Sequence, residues 1–186
     1  MKAIALFISL ILLPILVSSQ ETPQEISTPN GQTFLVGKIN TDAFKTEPYS
    51  IWYSKNYDGY QVAEKIIYPY KKILSTHKII AFMGTWCGDS KREVPRFIKI
   101  LENLDFPAEN LKIVALDRRK EHYKKSPTGE EWGLNIIKVP TFIFYKNGKE
   151  VNRIVESPVV SLEQDIVTII TDKTYTPNYS KTLHSD

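Results

Sequence analysis

The clearest hydrophobic pattern in the chain begins at Lys78. Lys78 to Met83 is an apolar, isoleucine-rich run bounded by polar residues, which predicts a buried strand. After a short turn, Val94, Phe97, Ile98, Leu101 and Leu104 fall at i, i+3, i+4, i+7 and i+10, the stripe of an amphipathic helix. Pro95 lies inside that helix and is expected to kink it. Leu111 to Leu116 predicts a second buried strand. Asp117 to Asn135 is charged and polar, with Trp132 and Leu134 near its end; one helix is expected there, interrupted by Ser126-Pro127-Thr128-Gly129. Thr141 to Tyr145 and Glu150 to Val155 read as short strands. Lys146-Asn147-Gly148-Lys149 joins them, with Asn-Gly supplying the positive φ angles of a tight hairpin. Ser161 and Gln164 form a capping box that opens a last helix running to about Ile170. The order βαβαββα, with a right-handed crossover in the βαβ unit, predicts an α/β three-layer sandwich.

Upstream the pattern is weaker. Gln20 to Gln32 is rich in Thr, Pro, Ser and Glu and reads as a flexible lead; Thr33 to Ile39 reads as a short strand. From Asp42 the pattern turns helical. Tyr53, Tyr57, Tyr60, Ile67, Tyr70 and Leu74 share one face, with Asp58 or Gly59 dividing it into two helices. Such an aromatic stripe suits a peptide groove or, more often, a helix docked on the sheet with its hydroxyls at the rim. Thr171 to Asp186 is a polar tail. Asn178-Tyr179-Ser180 within it matches a glycosylation acceptor, a motif too short to carry weight.

The chain opens with Met1-Lys2 and an apolar run from Ala3 to Val17. As a helix this run spans roughly 23 Å, short of the ~30 Å hydrocarbon core of a bilayer. Small residues, Ser18 and Ser19, follow it, and Pro14 interrupts it. These features predict a cleaved secretory signal peptide. No cysteine follows the run, so a lipid anchor on cysteine is excluded, and no later stretch is long and apolar enough to span a membrane. The expected division is a signal peptide at 1–19, a flexible lead at 20–40, a helical extension at 41–77, an α/β domain at 78–171 and a polar tail at 172–186.

Loss of Lys2 leaves 23 basic against 21 acidic residues. This near-neutral balance, with no basic block interleaved with aromatics, argues against nucleic acid as a partner. An exported chain with one cysteine has no internal disulfide, so packing must hold it together. The lone thiol is a reactive group, a buried small side chain or an intermolecular link.

That cysteine sits in Gly84-Thr85-Trp86-Cys87-Gly88-Asp89-Ser90-Lys91, at the junction of the first strand and the amphipathic helix. Trp86-Cys87-Gly88 with Lys91, Pro95, Val139-Pro140-Thr141 and Lys146-Asn147-Gly148 together resemble the thioredoxin family. The wording of the motif is nearest to the exported bacterial thiol–disulfide oxidoreductases of that family. The resemblance covers Lys78 to about Thr171, half of the chain, and leaves residues 20–77 without a counterpart in the minimal fold. It implies a thioredoxin fold, and a cis Val139-Pro140 bond that turns the Val139 backbone toward Cys87. Spacing alone would make that bond trans. It further implies catalysis at Cys87 with Ser90 beside it, substrate contact at Trp86, Gly88, Val139 and Pro140, and no cofactor or metal.

Two departures bear on the reaction. Ser90 stands where the family's resolving cysteine would be, with Asp89 in place of proline. Ala81 stands where the family often has a buried acid that moves the resolving thiol's proton. A dithiol cycle within one chain is therefore impossible. At a helix N-terminus, unpaired N–H groups and the dipole favour the Cys87 thiolate, and the Ser90 hydroxyl, one turn on, could donate to it. Asp89 opposes the thiolate, and Lys91 and Arg92 offset Asp89.

Two functions remain. The first is a monothiol protein that forms a mixed disulfide at Cys87, for isomerisation, deglutathionylation or reduction by an external thiol. The second is a non-catalytic peptide-binding module with a vestigial cysteine. The expected partners are protein or small-molecule thiols and disulfides. The mature chain is expected to be an unanchored monomer, in the periplasm or alternatively outside the cell. A peroxide-reducing frame is absent, since Thr85 lies two residues before Cys87 and no proline precedes it. An iron–sulfur cluster shared with glutathione fits poorly beside Trp86. His77, His122 and His184 are scattered and expected at the surface, and Glu130-Glu131 reads as solvated charge.

Overall fold

The computed structural model describes residues 23–183. The expected signal peptide and His184 lie outside the described residues. The strands are β1 (Gln24–Ser27), β2 (Thr33–Ile39), β3 (Lys78–Met83), β4 (Leu111–Ala115), β5 (Thr141–Lys146) and β6 (Lys149–Val155). They form one sheet in the order β1-β2-β4-β3-β5-β6. β3 and β4 are parallel, and the other pairs are antiparallel. The helices are α1 (Tyr49–Asp58), α2 (Glu64–Ile67), α3 (Lys71–Leu74), α4 (Gly88–Asn103), α5 (Leu162–Ile170) and α6 (Ser180–Leu183). The thioredoxin-type α/β arrangement is present: α4 crosses between the parallel strands, and the β5–β6 hairpin leads into α5.

Strand alternation divides the core in two. Ile79, Ala81 and Met83 of β3, Ile113 and Ala115 of β4, and Phe142 and Phe144 of β5 face α4, α5 and the extension. Phe82, Val114 and Ile143 face the other way, together with Leu116 and Val139. The Phe97 ring of α4 stacks on Phe142 at 4.1 Å. At the hairpin, Asn147 and Gly148 have φ of 51° and 77°, as its tight turn requires. Ser161 caps α5 by accepting from Gln164 N at 3.1 Å.

Four expectations are corrected. Gln24–Ser27, expected within a flexible lead, is a strand: it pairs with β2, and Tyr49 OH donates to Glu25 at 2.6 Å. The helix expected between Asp117 and Asn135 is absent, leaving a 3-10 turn at Lys120–His122. Side chains compete for that backbone: Glu131 accepts from Ser126 N at 3.0 Å, Ser126 Oγ accepts from Glu130 N at 3.0 Å, and Lys124, Gly129, Gly133 and Asn135 take positive φ. The layer over the second face of the sheet is therefore irregular chain. Glu131 is buried rather than solvated. His77 is fully buried rather than at the surface; its Nδ1 donates to Ile73 O at 2.9 Å and Nε2 has no partner.

The aromatic stripe docks the extension. Phe44 stacks on Tyr53 and Tyr53 on Tyr57, with centroids 5.0 and 5.6 Å apart. Lys99 of α4 donates to the carbonyls of Tyr57 and Tyr60 at 2.8 Å, closing the end of α1. Buried Glu163 of α5 accepts from Tyr60 OH at 2.9 Å and from Ala63 N at 3.0 Å. Among the described residues no helix is long and apolar enough to cross a membrane.

Candidate functional site

Cys87 is the N-cap residue of α4, with extended φ and ψ of −92° and 130°. Its carbonyl accepts from Lys91 N at 3.0 Å, and its own N–H donates to Gly84 O at 2.9 Å. The thiol is free and half-buried. Val139-Pro140 is cis, and the Cys87 thiol donates to Val139 O at 3.3 Å. The backbone of the proline loop thus meets the sulfur through a carbonyl. Pro140 O accepts from Glu156 N at 2.7 Å, and Thr141 Oγ1 donates to Lys138 O at 2.8 Å, fixing the loop on both sides.

Trp86 packs with Cys87 on the Phe82, Val114, Leu116, Val139 and Ile143 cluster, and its Nε1 donates to Leu116 O at 2.8 Å. Its indole covers Gly84 so closely that a Cβ there would lie 2.6 Å from Cε2. A Cβ at Gly88 would meet nothing within 4 Å, so the helix start beside the thiol is open. Ser90 is fully buried, and the hydrogen bond the structure gives it comes from Gly84 N at 3.1 Å, not from the thiol's side. Asp89 is held by Arg92 at 2.8 Å. Ala81 is buried on β3 in the core beneath α4.

Several groups at the site lay beyond the reach of sequence reasoning. Thr85 is buried, and its Oγ1 accepts from Leu35 N at 2.9 Å, tying β2 to the cysteine loop. The Tyr123 ring lies 6.0 Å from the Trp86 ring. Lys124 donates from Nζ to Ile137 O and sits 5.1 Å over the Tyr123 ring. Lys138 pairs with Glu156 at 3.1 Å and lies 4.8 Å over the Tyr179 ring, and Tyr179 OH donates to Glu156. Burial pushes the Glu156 carboxyl up, but the bonds from Tyr179 and Lys138 outweigh it and hold the group below the usual carboxylate range. Only the positive-φ turns that bring these loops together could have signalled them, and those depend on the fold. Among the described residues no cluster of His, Cys, Asp and Glu could hold a metal ion.

A half-buried cysteine capping a helix, set against a cis-proline loop on a mixed sheet, defines a thioredoxin-type thiol site. Residues 66–170 match the family model for thioredoxin, and the chain belongs to the thioredoxin family. It is similar to a thioredoxin-like protein of Acanthamoeba polyphaga mimivirus, with 34% identity over 48% of this chain and 59% of that protein. The chain thus spans little more than half the length of that relative. It is also similar to thioredoxin H-type 1 of Nicotiana tabacum, with 31% identity over 53% of this chain and 71% of that protein. Thioredoxin O2 of Arabidopsis thaliana, solved in its oxidised state, aligns over 60% of this chain and 77% of that one, at 23% identity and a TM-score of 0.33.

Proposed function

We propose that this protein exchanges thiols and disulfides through Cys87 alone. The Cys87 thiolate attacks one sulfur of a substrate disulfide, forming a mixed disulfide. The other substrate sulfur leaves with the bonding pair and takes a proton from water. A second thiolate, from the substrate, a small thiol or a partner protein, then attacks the mixed disulfide and expels Cys87. Isomerisation needs no net electrons. Reduction draws its two electrons from two outside thiols. The first thiolate attacks the Cys87 sulfur and expels the substrate thiolate, which takes a proton from water. The second then frees Cys87, leaving the two outside thiols joined as a disulfide. The observation that carries this reading is the placement of the chain's one sulfhydryl at the α4 N-cap, half-exposed, against Val139 of the cis-proline loop. Trp86, open Gly88, Val139 and Pro140 are the contact surface for the substrate segment. We further propose export, with removal of residues 1–19 and action in the periplasm or outside the cell; the mass of the mature protein tests this.

The experiment is the alkylation rate of Cys87 from acid to alkaline pH, paired with a turnover assay on a model mixed disulfide with and without added thiol. The expected result is a thiol that is accessible and reactive at neutral pH, with turnover only when an external thiol is supplied. An inert Cys87 would reject this reading in favour of a peptide-binding module. That alternative draws on the buried Ser90, occupied by Gly84, and on apolar Ala81 beneath the site.

A further inference from the structure

We propose that Lys124 is the electrostatic partner of the Cys87 thiolate, a positioning residue carried on the loop between β4 and β5. The proposal rests on the thiol-exchange reading above. Its first support is how firmly the loop is held. Lys124 N donates to Asp117 O and Asp117 N to Lys125 O, both at 2.9 Å. The Asp117 carboxylate is locked by Arg119, from the backbone N at 2.7 Å and from Nη2 at 2.6 Å. Tyr123 then leans on Trp86, the residue before the thiol. The Lys124 ammonium bonds to Ile137 O, and two residues along the same backbone strip Val139 O takes the Cys87 thiol. Ammonium and sulfur thus hang on adjacent parts of one short segment.

The second support is the balance of charge around that segment. An ammonium has three protons to donate, and the Ile137 carbonyl takes one of them. Burial pushes the half-buried Lys124 down, and Lys138 adds to this; Cys87 and Glu156 are the anionic groups that pull it back up. Glu156 is already engaged by Lys138 and Tyr179. On α4, Arg92 pairs with both Asp89 and Glu93, and Lys91 lies between Asp89 and Arg92 in the first turn of the helix. Lys124 is the cation anchored on the same short segment as the sulfur. The Val139 carbonyl accepts from the protonated thiol and has no proton to offer the thiolate. When Cys87 loses its proton to water, the bond to Val139 is lost and the ammonium answers the new charge. When the sulfur attacks a disulfide, that charge passes to the leaving sulfur.

The test uses the full mature chain, with Lys124→Met and Lys124→Arg. The pH dependence of the Cys87 Cβ chemical shift is followed together with the alkylation rate. Lys124→Met should move the midpoint of thiolate formation upward and slow alkylation at neutral pH about three- to tenfold. Lys124→Arg should restore most of the rate, and added salt should narrow the gap between wild type and Lys124→Met. The coupling is reciprocal, so Cys87→Ala should lower the titration midpoint of Lys124, a readout that does not depend on how a Lys124 variant folds. Unchanged midpoints in both directions would overturn the proposal. An inert wild-type thiol would instead overturn the exchange reading, while the reciprocal titration would still report on Lys124.

Discussion

The Ser90 hydroxyl accepts from the Gly84 N–H at 3.1 Å, across the turn that carries the cysteine. Both ends of this bond are buried. The bond holds the end of β3 to the first turn of α4 and so fixes where Cys87 stands. A buried N–H left without a partner costs about 1–3 kcal/mol. Ser90→Ala should therefore lower the unfolding free energy by an amount in that range, read as a lower urea midpoint. Its effect on alkylation at neutral pH should be less than about twofold, since the bond runs to Gly84 and not to the sulfur. A large loss of thiol reactivity in a normally stable Ser90→Ala protein would show that the hydroxyl serves the thiolate instead.

Sterics require glycine at position 84. The Trp86 indole lies where its Cβ would go, at 2.6 Å, and that indole is anchored to Leu116 O. Gly84→Ala must displace the indole and loosen its contact with Tyr123. Overpacking of this kind costs about 1–3 kcal/mol. Tryptophan fluorescence should change together with the loss of stability. Stability lost with an unchanged spectrum would mean that the backbone, not Trp86, had yielded.

The parts of the fold that rest on local pattern were legible in the sequence. β3, α4, β4 and the Asn147-Gly148 hairpin follow from periodicity and turn chemistry, and the Cys87 turn could be placed from its flanking elements alone. The cis state of Pro140 came only from family resemblance, because spacing carries no such information. Tyr123 and Lys124 were hidden for a different reason. Their segment has helix-like composition, but Ser126, Glu130 and Glu131 bond to its backbone and left-handed residues break it, so its path is set by contacts distant in sequence. His77 and Glu131 were misplaced because a polar side chain looks the same in sequence whether solvated or enclosed.

Residues 41–77 are joined to α5 through Glu163. Its carboxylate accepts from Tyr60 OH and from Ala63 N, and the side chain is almost fully buried on α5. Hydrogen bonds to a charged group contribute about 1.5–3 kcal/mol. Glu163→Ala should cost at least that much, because Ala63 N loses its acceptor as well, and Glu163→Gln should cost less because its oxygen can keep one bond. Limited proteolysis should locate the damage, with cleavage appearing first between α1 and α2 in Glu163→Ala. Cleavage there at the wild-type rate would mean that Lys99, the tyrosine stack and contacts such as Lys71–Asp105 and Asn103–Glu64 hold the extension without Glu163.

His77 gives the protein a pH-dependent stability of predictable sign. The ring is fully enclosed; Nδ1 donates to Ile73 O and Nε2 has no acceptor. Burial, the largest influence, pushes its pKa below the ordinary 6.5, and Lys146 adds to this. The unfolded chain therefore binds a proton at a pH where the folded chain does not. Stability from this group is fully present above 6.5 and is lost as pH falls from 6.5 toward the folded-state value. The carboxylates held below their usual range, Asp117, Glu130 and Glu156, lose their contributions in a separate, more acidic window, as pH falls below the unfolded values of 3.8 for Asp and 4.5 for Glu. Urea midpoints measured from neutral pH downward should thus be flat, then fall below 6.5, then fall again in strong acid. His77→Leu should remove the first fall and leave the second. Persistence of the first fall in a folded His77→Leu protein would assign it to another group, with exposed His122 the remaining described histidine to examine.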